Sequence, residues 1–179
     1  MGLTFRETKL RGAFVVEPEI FEDERGFFGR SFSAKEFEAH GMNPRMAECN
    51  ISFNKKRHTI RGMHFQLDPH AQAKLVRCTR GAIYDVIIDL RPDSPTFKQW
   101  IGEELTADNR RMLYIPTGFA HGFQTLEDST EICYQVSDSY APATAGGVRW
   151  NDPAFAIRWP SIDGITINQR DQSYPDFRS

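Results

Sequence analysis

Short runs rich in Val, Ile, Phe and Thr return about every ten residues, and this spacing limits the possible folds more than any other feature. Ten such runs fall at 13–16, 26–32, 47–53, 60–65, 74–78, 82–90, 98–105, 112–115, 122–126 and 131–136. Turn formers separate them, among them Arg80-Gly81, Pro92-Asp93-Ser94-Pro95, Asp108-Asn109, Thr117-Gly118 and Glu127-Asp128. Many short strands punctuated in this way predict an all-β sandwich or barrel. One segment reads as a helix, 34–40, with Ser33 placed to cap its start and Gly41 to end it. So short a helix is expected on the outside of the barrel. After Gly146 the apolar alternation weakens, and Pro153, Pro160 and Pro175 predict an irregular C-terminal tail. Nothing resembles a repeat or a linker, and 179 residues suit one domain over 1–179 that buries a core without disulfide or metal support.

Charge narrows the partners. Lys plus Arg total 22 against 24 for Asp plus Glu, a net charge of -2, so there is no electrostatic case for a nucleic acid or a membrane surface. An anionic ligand therefore needs a local basic pocket. The three cysteines, Cys49, Cys78 and Cys133, form no C-x-x-C pair and suit neither a disulfide framework nor a zinc knuckle. The first eleven residues are charged and lack the apolar run of a secretory signal, and no stretch approaches a membrane span. A cytoplasmic protein with reduced thiols is the expectation.

Chemistry concentrates in Arg61-Gly62-Met63-His64-Phe65-Gln66, followed by Lys74 in Ala73-Lys74-Leu75-Val76. Strand alternation places Arg61 and Met63 on one face and Gly62, His64 and Gln66 on the other. A histidine beside a lysine inside a barrel mouth suits removal of a proton next to a carbonyl. The imidazole titrates near neutrality, and the ammonium can stabilise the enolate oxygen. Taken singly, a strand histidine reads as a structural residue and a lysine as a surface charge. A second cluster, 115–123, holds His121 in a P-x-G-x-x-H-x-F pattern. Together with 62–81 it resembles the paired motifs of the cupin barrel. Metal-binding cupins, however, carry H-x-H followed by a glutamate; this chain has His64-Phe65-Gln66 and, before Gly81, only Asp68 as an acid. The usual three-histidine, one-carboxylate metal site cannot be assembled from these motifs.

Taken together, these stretches resemble the dTDP-4-dehydrorhamnose 3,5-epimerase family of cupin-type nucleotide-sugar epimerases. The resemblance covers nearly the whole chain in order: 21–28 (F-E-D-E-R-G-F-F), 61–66, 73–76, 81–91, 94–97, 105–109, 115–123, 134–142, Trp150-Asn151-Asp152-Pro153 and Trp159-Pro160. It implies a double-stranded β-helix (jelly-roll) barrel and an epimerase acting on carbons beside the keto group of a nucleotide-linked 4-keto-6-deoxyhexose. It also assigns roles. His64 is the expected base, Asp171 the carboxylate that orients it, Lys74 the enolate's cation and Tyr134 the acid on the opposite face. Arg25, Arg61, Gln66, Asn50, His121, Arg170 and Arg30 fall at substrate-binding positions, the two arginines Arg25 and Arg61 at those that hold the diphosphate. No cofactor is implied, because the keto group already acidifies its neighbours. A homodimer is implied, in which an N-terminal strand pairs with the partner's sheet and the pocket borrows residues across the interface.

Three positions depart from the commonest family pattern. Arg30 and Ala145 stand where glutamates are usual, and Arg170 replaces a lysine. These changes leave open a GDP- or CDP-linked sugar in place of a dTDP-linked one, or epimerisation at one carbon only. Rival readings are a ketoisomerase on the same fold, a non-catalytic sugar-binding cupin and a metal-dependent cupin oxygenase. Presence of His64, Lys74 and Tyr134 together opposes the non-catalytic reading, and Tyr134 with the His64/Asp171 pair opposes the ketoisomerase.

Overall fold

The computed structural model of the chain describes residues 2–178. Its thirteen strands are β1 (Leu3–Glu7), β2 (Phe14–Pro18), β3 (Ile20–Asp23), β4 (Gly26–Gly29), β5 (Glu48–Asn54), β6 (Ile60–Gln66), β7 (Lys74–Arg80), β8 (Ala82–Asp89), β9 (Trp100–Thr106), β10 (Met112–Ile115), β11 (Phe119–Thr125), β12 (Thr130–Val136) and β13 (Ala145–Gly147). Two short helices, α1 (Ala34–Ala39) and α2 (Gln169–Gln172), complete the chain. The strands form a six-stranded sheet in the order β1-β2-β10-β7-β12-β5 and a five-stranded sheet in the order β13-β6-β11-β8-β9, with β3 and β4 as a separate hairpin. All strand pairs are antiparallel.

Side-chain alternation builds three layers of core. Val15, Val76, Leu113 and Ile132 of the larger sheet meet Ile83, Ile87, Phe119 and Phe123 of the smaller one in the cluster between the sheets. The opposite faces of the same strands bury a second and a third cluster. Met63, Val86, Ile88 and Ala120 lie under Phe155 and Trp159 of the C-terminal segment. Val16, Leu75, Met112 and Tyr114 lie under Phe37 of α1. That helix starts where Ser33 accepts the Glu36 N–H and ends at His40 and Gly41, whose φ of +72° suits glycine. As expected, it covers the outside of a sheet, contributing one fully buried side chain, Phe37.

Four elements lie outside the pattern of apolar runs. The residues of β1 read as a charged terminus, and an N-terminal strand there is implied only by the family resemblance, which pairs it with a partner's sheet; within the chain it pairs with β2, Leu3 opposite Pro18. β3, β13 and α2 were also missed, each being only three or four residues long. The tail beyond β13 is irregular, as expected, yet it is tied down. Ile60 N–H donates to Thr166 O at 2.8 Å, and the Gln124 amide spans Ser161 at 2.8 and 3.0 Å.

Candidate active site

A cavity of about 400 Å³ opens between the two sheets, and eight of the expected residues line it: Asn50, Arg61, His64, Gln66, Lys74, His121, Tyr134 and Arg170. Strand alternation explains most of this. On β11, His121 falls between the inward Phe119 and Phe123; on β12, Tyr134 follows the inward Ile132; on β7, Lys74 precedes the inward Val76.

β6 breaks the rule, and the break corrects the sequence reading. Arg61 and His64 both face the cavity, whereas Met63 is buried in the outer cluster. The cause is an irregularity in pairing: His64 stands opposite His121, but Arg61 stands opposite Phe123, so β6 carries one residue more than β11 over this span. Gly62 permits it, with φ at +131° and no Cβ where Gly122 Cα would lie 2.5 Å away.

His64 Nε2 lies 2.8 Å from Asp171 Oδ1, and the second Asp171 oxygen accepts the Gly62 N–H at 3.1 Å. Asp171 is 1% exposed and is placed by α2, where the Asn168 side chain accepts its N–H at 2.7 Å. Burial works to raise the pKa of this carboxyl. The His64 hydrogen bond and charge, the Gly62 amide and the Arg170 charge outweigh it and hold the pKa below the usual value. With Nε2 on the carboxylate, Nδ1 is the ring nitrogen left for chemistry. Lys74 approaches from the other sheet. Its Nζ donates to Gln72 Oε1 at 2.8 Å, and burial lowers its pKa to about 8. Tyr134 stands on the neighbouring strand β12, opposite Asn50 of β5 and Val76 of β7.

A second histidine–carboxylate pair went unseen in the sequence. His121 Nε2 is 2.7 Å from Asp85 Oδ1, and Asp85 is completely buried with Oδ2 unpartnered. Burial raises the Asp85 pKa against the opposing effect of His121. The available signal was alternation on β8, which sets Asp85 between the inward Ile83 and Ile87. Asn54, which accepts from Arg61 Nε at 2.7 Å, and Gln72 were missed as well.

Three expected substrate-binding residues stand differently. Gln66 lines the cavity, but its amide donates to His70 O and Ser139 O and accepts from Ala141 N–H, so its polar atoms tie two loops together. Arg25 sits at the tip of the β3–β4 hairpin, paired with Asp23 and exposed, and does not line the cavity of its own chain. Arg30 pairs with Glu36 of α1 at 2.9 Å, again outside that cavity. Ala145, by contrast, is in the wall, opposite Gln66 on β13. Among the described residues no three His, Cys, Asp or Glu side chains converge as metal ligands would.

The family model for dTDP-4-dehydrorhamnose 3,5-epimerase matches residues 7–179. The chain belongs to this family. Among curated family members, the dTDP-4-dehydrorhamnose 3,5-epimerase of Salmonella typhimurium is 42% identical over 170 residues, which cover 94% of this chain and 92% of that one. Among solved structures, the family enzyme of Bacillus anthracis, with TDP and PPi bound, superposes with a TM-score of 0.94 at 45% identity, over 98% of this chain and 100% of that one. The corresponding epimerase of Legionella pneumophila, in complex with dTDP-4-keto-L-rhamnose, gives a TM-score of 0.90 at 33% identity, covering 99% of this chain and 100% of that one. The epimerase family's jelly-roll barrel is thus the fold of this chain, and an isomerase is its class of enzyme.

Proposed function

We propose that this epimerase inverts C3 and C5 of a dTDP-linked 4-keto-6-deoxyhexose, of the dTDP-4-keto-6-deoxyglucose to dTDP-4-keto-rhamnose type. The observation that carries the reading is the opposition of two walls. His64, backed by buried Asp171, projects from the five-stranded sheet; Lys74 and Tyr134 project from the six-stranded sheet across the cavity.

His64 Nδ1 takes the proton from a carbon beside the C4 keto group. The C–H electrons move into the ring and onto O4, where the Lys74 ammonium meets the developing negative charge. Tyr134 O–H then delivers a proton to the same carbon from the opposite face, which inverts it. His64 returns its proton to solvent, and Tyr134 regains one, before the second carbon is processed. Arg61 and Arg170 supply the local positive charge that an anionic diphosphate requires in a chain of net charge -2.

The test is incubation of dTDP-, GDP- and CDP-4-keto-6-deoxyglucose in deuterated water with mass and NMR readout. Deuterium at both C3 and C5 of the dTDP sugar is the expected result; no uptake into it overturns the reading. Asp171→Asn keeps the shape of the pair and removes its charge, so kcat/KM is expected to fall by about 10²-fold or more. A change under threefold shows that the carboxylate does not support the base. Because Lys74 is an ammonium below its pKa of about 8 and an amine above it, activity is expected to decline as pH rises through 8.

The reading extends to a cytoplasmic homodimer whose single domain spans 1–179. Exposed Ile51 and Phe53 on the edge strand β5, together with Phe21, Phe27 and Phe28 of the β3–β4 hairpin, supply apolar surface for a second copy. A partner would also account for Arg25 and Arg30, which lie outside their own chain's cavity. No described helix is long and apolar enough to cross a membrane, and the three cysteines are free thiols. Light scattering at micromolar concentration is expected to give twice the chain mass; a monomer contradicts the dimer.

A further inference from the structure

We infer that Gln72 is a positioning residue that holds the Lys74 ammonium in the cavity wall through a neutral acceptor, leaving the ammonium's charge for the oxygen of the substrate. The inference rests on the proposed role of Lys74. Two contacts settle the orientation of the amide. Gln72 Nε2 donates to Asp138 O at 2.7 Å, so Oε1 is the atom that accepts from Lys74 Nζ at 2.8 Å. The reversed amide would oppose two donors to the ammonium and an acceptor to a carbonyl.

The acceptor is itself set by main chain. Ala73 N–H donates to Ser137 Oγ at 2.9 Å and Ser137 N–H to Ala73 O at 3.0 Å, so residues 72–74 are zipped against 136–138. Gln72 therefore reaches Lys74 from a fixed place, and a strand start that would otherwise leave a four-carbon chain free is immobilised. Around Lys74 the cavity presents Arg61 and His64 from β6, His121 from β11, Tyr134 from β12, Glu48 from β5, Tyr140 from the loop after β12 and Arg170 from α2; β10 places apolar Ile115 opposite it. The Asp138 carboxylate is turned to His70, 3.6 Å away. Among the described residues, the side chain bonded to the ammonium is thus an amide, and burial is what lowers its pKa. A carboxylate in the same place would neutralise the charge that the enolate needs.

Gln72→Glu puts that carboxylate in the same shape, and Gln72→Met removes the acceptor at similar length. We expect Gln72→Glu to move the alkaline limb of the kcat profile up by a pH unit or more and to lower kcat by about 10- to 100-fold, with KM changed less than threefold. Gln72→Met is expected to lower kcat by about tenfold or more without the upward shift. An unshifted limb with wild-type kcat in Gln72→Glu overturns the inference. So does a loss of thermal stability in both variants with an unchanged limb, since Gln72 would then serve only to staple the two loops. Lys74→Met separates the layers. If it is as active as wild type, the role of Lys74 falls; if it is inactive while Gln72→Glu behaves as wild type, only the inference about Gln72 falls.

Discussion

His64→Ala is expected to abolish deuterium uptake at both sugar carbons, a loss on the order of 10⁴-fold in kcat, while the fold persists. The expectation follows from geometry. His64 is the cavity histidine whose Nε2 is held by a buried, ionised carboxylate, and its Cα is placed by a bulge that glycine alone permits. Both carbons depend on it because both flank the same keto group and lose their protons to the same wall. Tyr134→Phe is the informative companion. It leaves base and cation in place, so proton exchange at the α-carbon should continue while inversion falls more steeply. Mass spectrometry counts exchange and NMR counts inversion, so one incubation reads both. Equal, mild effects of the two substitutions would show that the roles are assigned to the wrong side chains.

Gly62→Ala is expected to remove the folded enzyme itself, with a stability loss of about 3 kcal/mol or more by urea denaturation. A Cβ there would lie 2.5 Å from Gly122 Cα and 2.9 Å from His121 O, both backbone atoms that cannot swing aside. The two glycines face each other, for a Cβ on Gly122 would in turn meet Arg61 O at 2.7 Å. At this tight contact of β6 and β11 the chain also donates Gly62 N–H to Asp171, so the same lesion would loosen the partner of His64. A variant with wild-type stability and activity would mean that the bulge is not what aims His64.

Much of this could be read from residue order. Recurring apolar runs specify strands because a half-buried pleated surface needs them, and nine of the ten expected runs overlap strands of the two large sheets, the tenth overlapping β4 of the hairpin. A helix six residues long could be placed within one residue because Ser33 and Gly41 announce its ends. The cavity-facing places of Lys74, His121 and Tyr134 agree with alternation against the inward Val76, Phe119 and Ile132, while their roles are implied by the family resemblance. The elements that were missed are those whose stability comes from neighbours: β1 and β13 hold as strands by pairing with β2 and β6, and α2 is a single turn.

What the sequence determined by itself was local: strand period, turn chemistry, caps and the set of groups able to move a proton. Tertiary structure decided which of them meet. Asp171 reaches His64 across 107 positions of chain, Asp85 reaches His121 across 36, and the Gln66 side chain, in the cavity wall, bonds the main chain of two loops. No local pattern encodes those encounters. Hydrogen bonds between distant segments depend on where closed sheets bring their edges, and a single extra residue in β6 is enough to turn Arg61 and His64 to the same side.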